Sequence, residues 1–396
     1  MTFELKPTTP AGEQLCAAAA ELIATLRANA DAADRAGVMP EESFKAAQQA
    51  GVTAAFVPEE LGGWGLSSVY DWMMGIRKLA QGDGSVAIAL NMHMGVTRGM
   101  ALANSEGPLK AVAAGDMLIC ATATERGTDN LHPLTEAVAN ENGWLINGHK
   151  MFVTMSPIAT HLAMNLRMRN DEGDYLASTM MPINTPGLVQ QDDWDALGMR
   201  GSGSQSIKFE NVQLPAQAVR KLGPWGEWST QVLINRTLGN LTLVAAFLGI
   251  AEHAREEALR SLESQKRNGE LVRENPGVQQ AVGEMEIELT QCRGALAQAG
   301  RGVDDWLRNA IPNPPTIDQA HELMQSYQAA KWVVNRGAIG IVDKAMDLAG
   351  GGGFMAGNVL ARLYRDVRAG PFMQPHAAVD IRRYVGQVAL GLYPDS

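Results

Sequence analysis

Near its C-terminus the chain reads Gly350-Gly351-Gly352-Gly353-Phe354, then Arg362-Leu363-Tyr364-Arg365-Asp366, then Gly370-Pro371-Phe372-Met373-Gln374-Pro375-His376. The glycines follow a long amphipathic pattern, Ile317–Ala349, and either end that helix or let backbone approach a bound phosphate with no Cβ in the way. Beyond them Gln374 and His376 bring an amide and an imidazole onto one short segment.

Working outward, texture divides the chain into three. Residues 1–117 are helical in pattern, with Ala-rich amphipathic runs at Ala11–Arg35 and Glu41–Ala50 punctuated by Pro40, Gly51 and Gly62-Gly63. Residues 118–225 carry short apolar or alternating runs: Leu118–Thr124, Trp144–Ile146, Phe152-Val153-Thr154, His161–Arg167 and Ile207-Lys208-Phe209. Asn142-Gly143 and Asn147-Gly148 flank Trp144–Ile146 as hairpin signals. Residues 226–396 return to helical periodicity at Thr230–Leu262, Val278–Asn309 and Ile317–Ala349, separated by Asn275-Pro276 and Pro312-Asn313-Pro314-Pro315, with a last helix over Ala377–Leu392. Helices, a β middle and a helical bundle predict an α+β protein of three packed regions. The broad apolar faces of the long helices predict burial between subunits.

Composition narrows the function classes. A net charge of −10 with no Lys/Arg cluster argues against a nucleic-acid partner. Cys16, Cys120 and Cys292 are far apart and without metal-ligand spacing, so they read as reduced thiols, with no disulfide frame and no metal site. Met1-Thr2-Phe3-Glu4-Leu5-Lys6 lacks an apolar leader core, and no apolar run approaches ~20 residues, so no membrane span and a cytoplasmic location are expected.

Five blocks, in order, carry a family resemblance. They are Val57-Pro58-Glu59-Glu60-Leu61-Gly62-Gly63-Trp64-Gly65; Thr122-Ala123-Thr124-Glu125-Arg126-Gly127-Thr128-Asp129; Lys150-Met151-Phe152-Val153-Thr154; Leu197-Gly198-Met199-Arg200-Gly201-Ser202-Gly203-Ser204; and the glycine turn with Arg365-Asp366. Together the chain resembles the acyl-CoA dehydrogenases. The resemblance implies a helical N-terminal domain, a central β-barrel domain, a C-terminal four-helix bundle, a bound flavin (FAD or FMN) and a homotetramer. It implies flavin contacts from Thr122, Thr124, Thr128, Phe152, Val153, Thr154, Asp347, Gly350 and Gly351. The loop around Thr124 offers hydroxyls and backbone N–H groups to a ring edge or phosphate, and Phe152-Val153-Thr154 offers an apolar wall beside a hydroxyl.

The departures matter as much. Counting from Gly350 without a gap, the position of the family's catalytic glutamate falls on Gln374, and an amide takes no proton from carbon at neutral pH. A positioned base is worth ~10²–10⁴ in rate, or about 3–5 kcal/mol of barrier. An alternative glutamate position of the family falls on Gly239, with no carboxylate between Thr230 and Ala251. The pair that supports a CoA ester corresponds to Thr237 and Asn240, and the segment reaching a neighbour's FAD reads Gln265-Lys266-Arg267-Asn268-Gly269.

Against these losses stand His376 and His93. The pattern is similar to the two-component flavin monooxygenases of this fold, in which histidines near the flavin serve its reaction with oxygen; imidazole both donates and accepts near neutral pH. For each histidine the alternative is a packed or solvated side chain. Ser156 either bonds the flavin's N5 edge or is a turn residue before Pro157. The expected activity is oxygenation of a small organic substrate by reduced flavin from a separate reductase, with Gln374, His376, His93 and Ser156 around the chemistry. Two alternatives stand: an acyl-CoA dehydrogenase with a displaced base such as Asp380, or a non-catalytic partner subunit.

Overall fold

The computed structural model describes residues 4–310 and 314–394. The readings of Met1-Thr2-Phe3 and of Pro312-Asn313 lie outside the described residues. Five helices come first: α1 (Pro10–Ala36), α2 (Glu41–Gln49), α3 (Val69–Ala80), α4 (Gly84–Leu102) and α5 (Glu106–Ala114). The Thr9 hydroxyl accepts from Gly12 N to start α1, and Gly37, at φ 68°, ends it. The centre of the layer is α3, almost wholly buried, with Trp72 and Tyr70 in the core.

The β region holds β1 (Ile119–Thr122), β2 (Glu136–Asn140), β3 (Gly143–Val153), β4 (His161–Asn170), β5 (Gly173–Pro182), β6 (Leu188–Gln190), β7 (Gln205–Leu214) and β8 (Val219–Pro224). Their order is β6-β7-β3-β2-β4-β5-β8, with β1 pairing parallel to β4. One hairpin signal was correct in kind and one was not. Asn142-Gly143 sits at the turn between β2 and β3, whereas Asn147-Gly148 lies inside β3 as a register irregularity. Gly148, at φ 152°, is there because a Cβ would meet the Thr135 backbone at 2.6 Å.

The C-terminal region comprises α6 (Thr230–Leu262), a small hairpin of β9 (Lys266–Arg267) and β10 (Glu270–Leu271), α7 (Pro276–Ala310), α8 (Ile317–Ala349), α9 (Val359–Val367) and α10 (Ala378–Ala389). Helix α8 packs against α6, α7 and α10. Thr316 and Gln319 form a reciprocal cap at its start. Helix α6 is long and apolar enough to cross a membrane, but 78% of its apolar window is buried inside the protein.

Buried charges bind the layers together. Arg77 of α3 and Arg293 of α7 both grip Glu252 of α6, and outweigh the burial that would otherwise raise its carboxyl, holding it below its usual range. On α9, Arg365 pairs with Asp34 of α1, while Asp366 accepts from Met199 N at 2.6 Å. Gly198 lets this crossing happen: a Cβ there would stand 2.3 Å from the Arg365 carbonyl.

Candidate functional site

The site grows from the end of β3. The Thr122 hydroxyl donates to Met151 O at 2.9 Å and Met151 N donates to Thr124 O at 2.9 Å, so the loop after β1 lies along β3. Ala121 bridges to Thr154. Here the strand departs from ordinary geometry. Phe152 (φ 53°), Met155 (φ 74°) and Met199 (φ 54°) occupy the left-handed region, which bulky residues rarely enter; the other non-glycine cases among the described residues are asparagines. Met155 N donates to Ser202 O at 2.9 Å, which ties the strained turn at 199–203 to the strained strand end. Backbone strain of this kind clusters at ligand-binding sites.

The twist turns Phe152 outward, 50% exposed, with its ring edge-on to Trp194 at 6.0 Å. It turns Val153 inward, fully buried in the core. The expectation that Val153 faces the flavin is therefore corrected: the irregularity between Lys150 and Val153 breaks the alternation that would have set it beside the ring. Behind Phe152 a buried hydroxyl chain runs from Thr154 to Ser204 (2.9 Å) and on to Ser202 (2.7 Å). Ser156 Oγ is buried with no partner.

Gln374 arrives from the segment between α9 and α10, its amide Nε2 donating to Thr124 Oγ1 at 2.8 Å. Two residues of α8 that sequence reasoning missed hold this segment. The Tyr327 hydroxyl donates to Gln374 O at 3.0 Å; Lys331 Nζ donates to Met373 O and, at 2.6 Å, to His376 O. Lys331 is fully buried, and desolvation pulls its pKa down to about 7. The signal available was a lysine set among the apolar positions of α8.

The carboxylates on the neighbouring segments are committed elsewhere. Glu125 receives Lys150 and the N–H groups of Leu134 and Thr135. Asp129 accepts from His132 and from Leu131 N. Asp380 is exposed in the first turn of α10, on an open cavity it shares with His376, Arg383, Tyr384 and Tyr393. Asp380, the residue of the displaced-base alternative, thus shares its cavity with His376, while the Gln374 amide bonds Thr124.

The two histidines separate. His93 is fully buried; its Nε2 donates to Thr53 O at 3.0 Å and its Nδ1 accepts from Ile119 N at 3.1 Å. Both nitrogens are committed to backbone, so the catalytic expectation for His93 is corrected: it pins α4 to β1, and burial lowers its pKa to about 4. His376 stacks on Tyr384 with ring centres 4.4 Å apart, and its Nε2 is buried without a partner. Desolvation, then the Lys331 charge, lowers its pKa to about 4, leaving a neutral imidazole.

The structure does not bring the remaining predicted residues to Thr124. Thr128 donates to His132 O within its own loop. Asp347, Gly350 and Gly351 lie exposed at the end of α8, where a Cβ on either glycine would meet nothing within 4 Å.

An outward aromatic beside a hydroxyl chain, an orphaned buried hydroxyl at Ser156 and a threonine loop capped by an amide fit the apolar face and polar edge of an isoalloxazine ring. They lie in a β region set between a helical layer and a helical bundle, the domain order of the acyl-CoA dehydrogenases. Comparison with known proteins agrees. The N-terminal, middle and C-terminal domain models of acyl-CoA dehydrogenase match residues 9–107, 119–212 and 235–374. L-evernosamine nitrososynthase of Micromonospora sp. is 34% identical, over 98% of this chain and 93% of that protein. An amino sugar nitrososynthase of Streptomyces peucetius is also 34% identical, over 98% and 95%. A solved enzyme in complex with FMN and dTDP-3-amino-2,3,6-trideoxy-4-keto-3-methyl-D-glucose superposes with a TM-score of 0.91 at 32% identity, covering 98% of this chain and 96% of that one. The chain belongs to the acyl-CoA dehydrogenase superfamily. It is a flavin-dependent oxidoreductase.

Proposed function

We propose that the protein oxygenates the amino nitrogen of a deoxyamino sugar carried on a nucleoside diphosphate, using reduced FMN supplied by a separate reductase, and O2. The observation that carries this reading is the Gln374–Thr124 hydrogen bond, taken with the count from Gly350 that sets Gln374 at the position the resemblance gives to a desaturase's carboxylate. The two nitrososynthase relatives and the sugar-nucleotide complex of the structural neighbour support the substrate class. The departures from the family pattern at Asp347 and Gln265-Lys266-Arg267-Asn268-Gly269, with the FMN complex of the structural neighbour, favour FMN over FAD.

Phe152, Thr122, Thr124, Thr154 and Ser156 would hold the flavin ring and its polar edge. When bound in reduced form, flavin supplies two electrons with which O2 puts one oxygen atom on the substrate and releases the other as water. The protein's own residues orient and shield. Gln374 fixes the Thr124 hydroxyl; Tyr327 and Lys331 hold the Gln374 segment through its carbonyls. His376, neutral and with an unpartnered Nε2, is the residue available to carry a proton. Replacing it with Asn should lower oxygenation roughly a hundredfold, the order a proton carrier contributes.

The test supplies reductase, FMN, NADH and a dTDP-amino sugar under 18O2. The label is expected in an N-oxidised product. An unlabelled product, or no product while acyl-CoA substrates reduce the flavin, contradicts the proposal.

A further inference from the structure

We propose that Arg236 is the seat of a phosphoryl group in the cleft, an inference that rests on the reading of the protein as an enzyme for a nucleotide-borne substrate and a phosphorylated flavin. Arg236 Nη2 is shut away from solvent and has no hydrogen-bond partner, although the residue keeps a partly exposed flank. No ion pair involves Arg236 among the described residues. A guanidinium in that state is costly unless an anion arrives to meet it.

Its place in the fold says where the anion comes from. Val232, one turn earlier on the same face of α6, is buried against Leu131 and Leu176 of the β region. Arg236 is therefore carried over the loop that runs from Glu125 to Thr135. Its charge acts on Lys150, and that of Asp129 acts on it, but neither nearby carboxylate turns to it. Glu125 is taken by Lys150, Leu134 N and Thr135 N; Asp129 is taken by the His132 ring and by the N–H groups of Leu131 and His132. The loop is the same one whose start, Thr124, meets Gln374. A planar fork of donors suits phosphate oxygens. Two sources offer that chemistry at this cleft: the 5′-phosphate of FMN and the diphosphate of a nucleotide substrate.

Calorimetric binding of four probes to the full-length protein separates them: FMN against riboflavin, and thymidine diphosphate against thymidine, each with wild type, Arg236→Ala and Arg236→Lys. In Arg236→Ala the preference for the phosphorylated member of one pair should fall roughly ten- to a hundredfold, with partial recovery in Arg236→Lys. The pair affected identifies the source. The ligand-free thermal midpoint should not fall, because the charge removed has no partner to lose. Survival of both preferences in Arg236→Ala, their absence from wild type, or a lowered ligand-free midpoint overturns the assignment. These readouts need no turnover, so a failure of oxygenation would sink the functional reading and leave this result standing.

Discussion

A glutamine and a glutamate fill nearly the same space, so Gln374 changes the chemistry of the segment without disturbing how it packs. The amide donates to Thr124, which a carboxylate cannot do. This residue was legible because unbroken counting from Gly350 through Arg365-Asp366 reaches it. Lys331 was not, since its contacts join α8 to a segment 42 residues further on. Its effect has a pH signature. The folded pKa of Lys331 lies at about 7 and the ordinary value at 10.5, so between these limits the unfolded chain holds a proton the folded one has released. Stability therefore gains from this group as pH rises through that window. Lys331→Met removes the gain together with the two hydrogen bonds that Nζ donates to the Met373 and His376 carbonyls. Chemical denaturation should find it more destabilising at pH 9 than at pH 6, and an equal effect at both would contradict the account.

Elements are where local reading met its limits. β2 and β5 gave little sign, because Glu136–Asn140 and Gly173–Pro182 are built mostly of small, polar or methionine positions rather than β-branched runs. Asn147-Gly148 looked like a turn because the same dipeptide serves turns and irregularities, and only the Thr135 backbone packed beside Gly148 decides between them. Two predictions belong at this scale. Gly198→Ala should cost about 1–3 kcal/mol in chemical denaturation, since a Cβ has no room between the 199 turn and α9. His93 should make the α4–β1 junction acid-sensitive. Its folded pKa of about 4 lies below its ordinary 6.5, so the unfolded chain takes up a proton first as pH falls through that interval, and stability is lost there. His93→Gln should show a shallower decline in thermal midpoint over the same interval; an unchanged slope would mean the histidine is not held neutral.

Across the whole molecule, the order of helices, sheet and bundle was legible from texture, and the five blocks carried the superfamily because they occur together and in order. The α+β architecture brings the loop after β1, the end of β3 and the segment after α9 into contact, although the sequence scatters them over most of its length. What the sequence could not supply was which side of each strand faces the cleft, as Val153 shows, or which histidine is spent on structure, as His93 shows. The central claim is that this cleft holds a flavin with no carboxylate able to remove a proton from carbon. Anaerobic mixing of the flavin-loaded protein with a panel of acyl-CoA thioesters, followed at the flavin absorbance, tests it most directly. Wild type should show no bleaching, with bleaching gained, if anywhere, in Gln374→Glu; bleaching of the wild-type flavin by any of these thioesters would contradict the account.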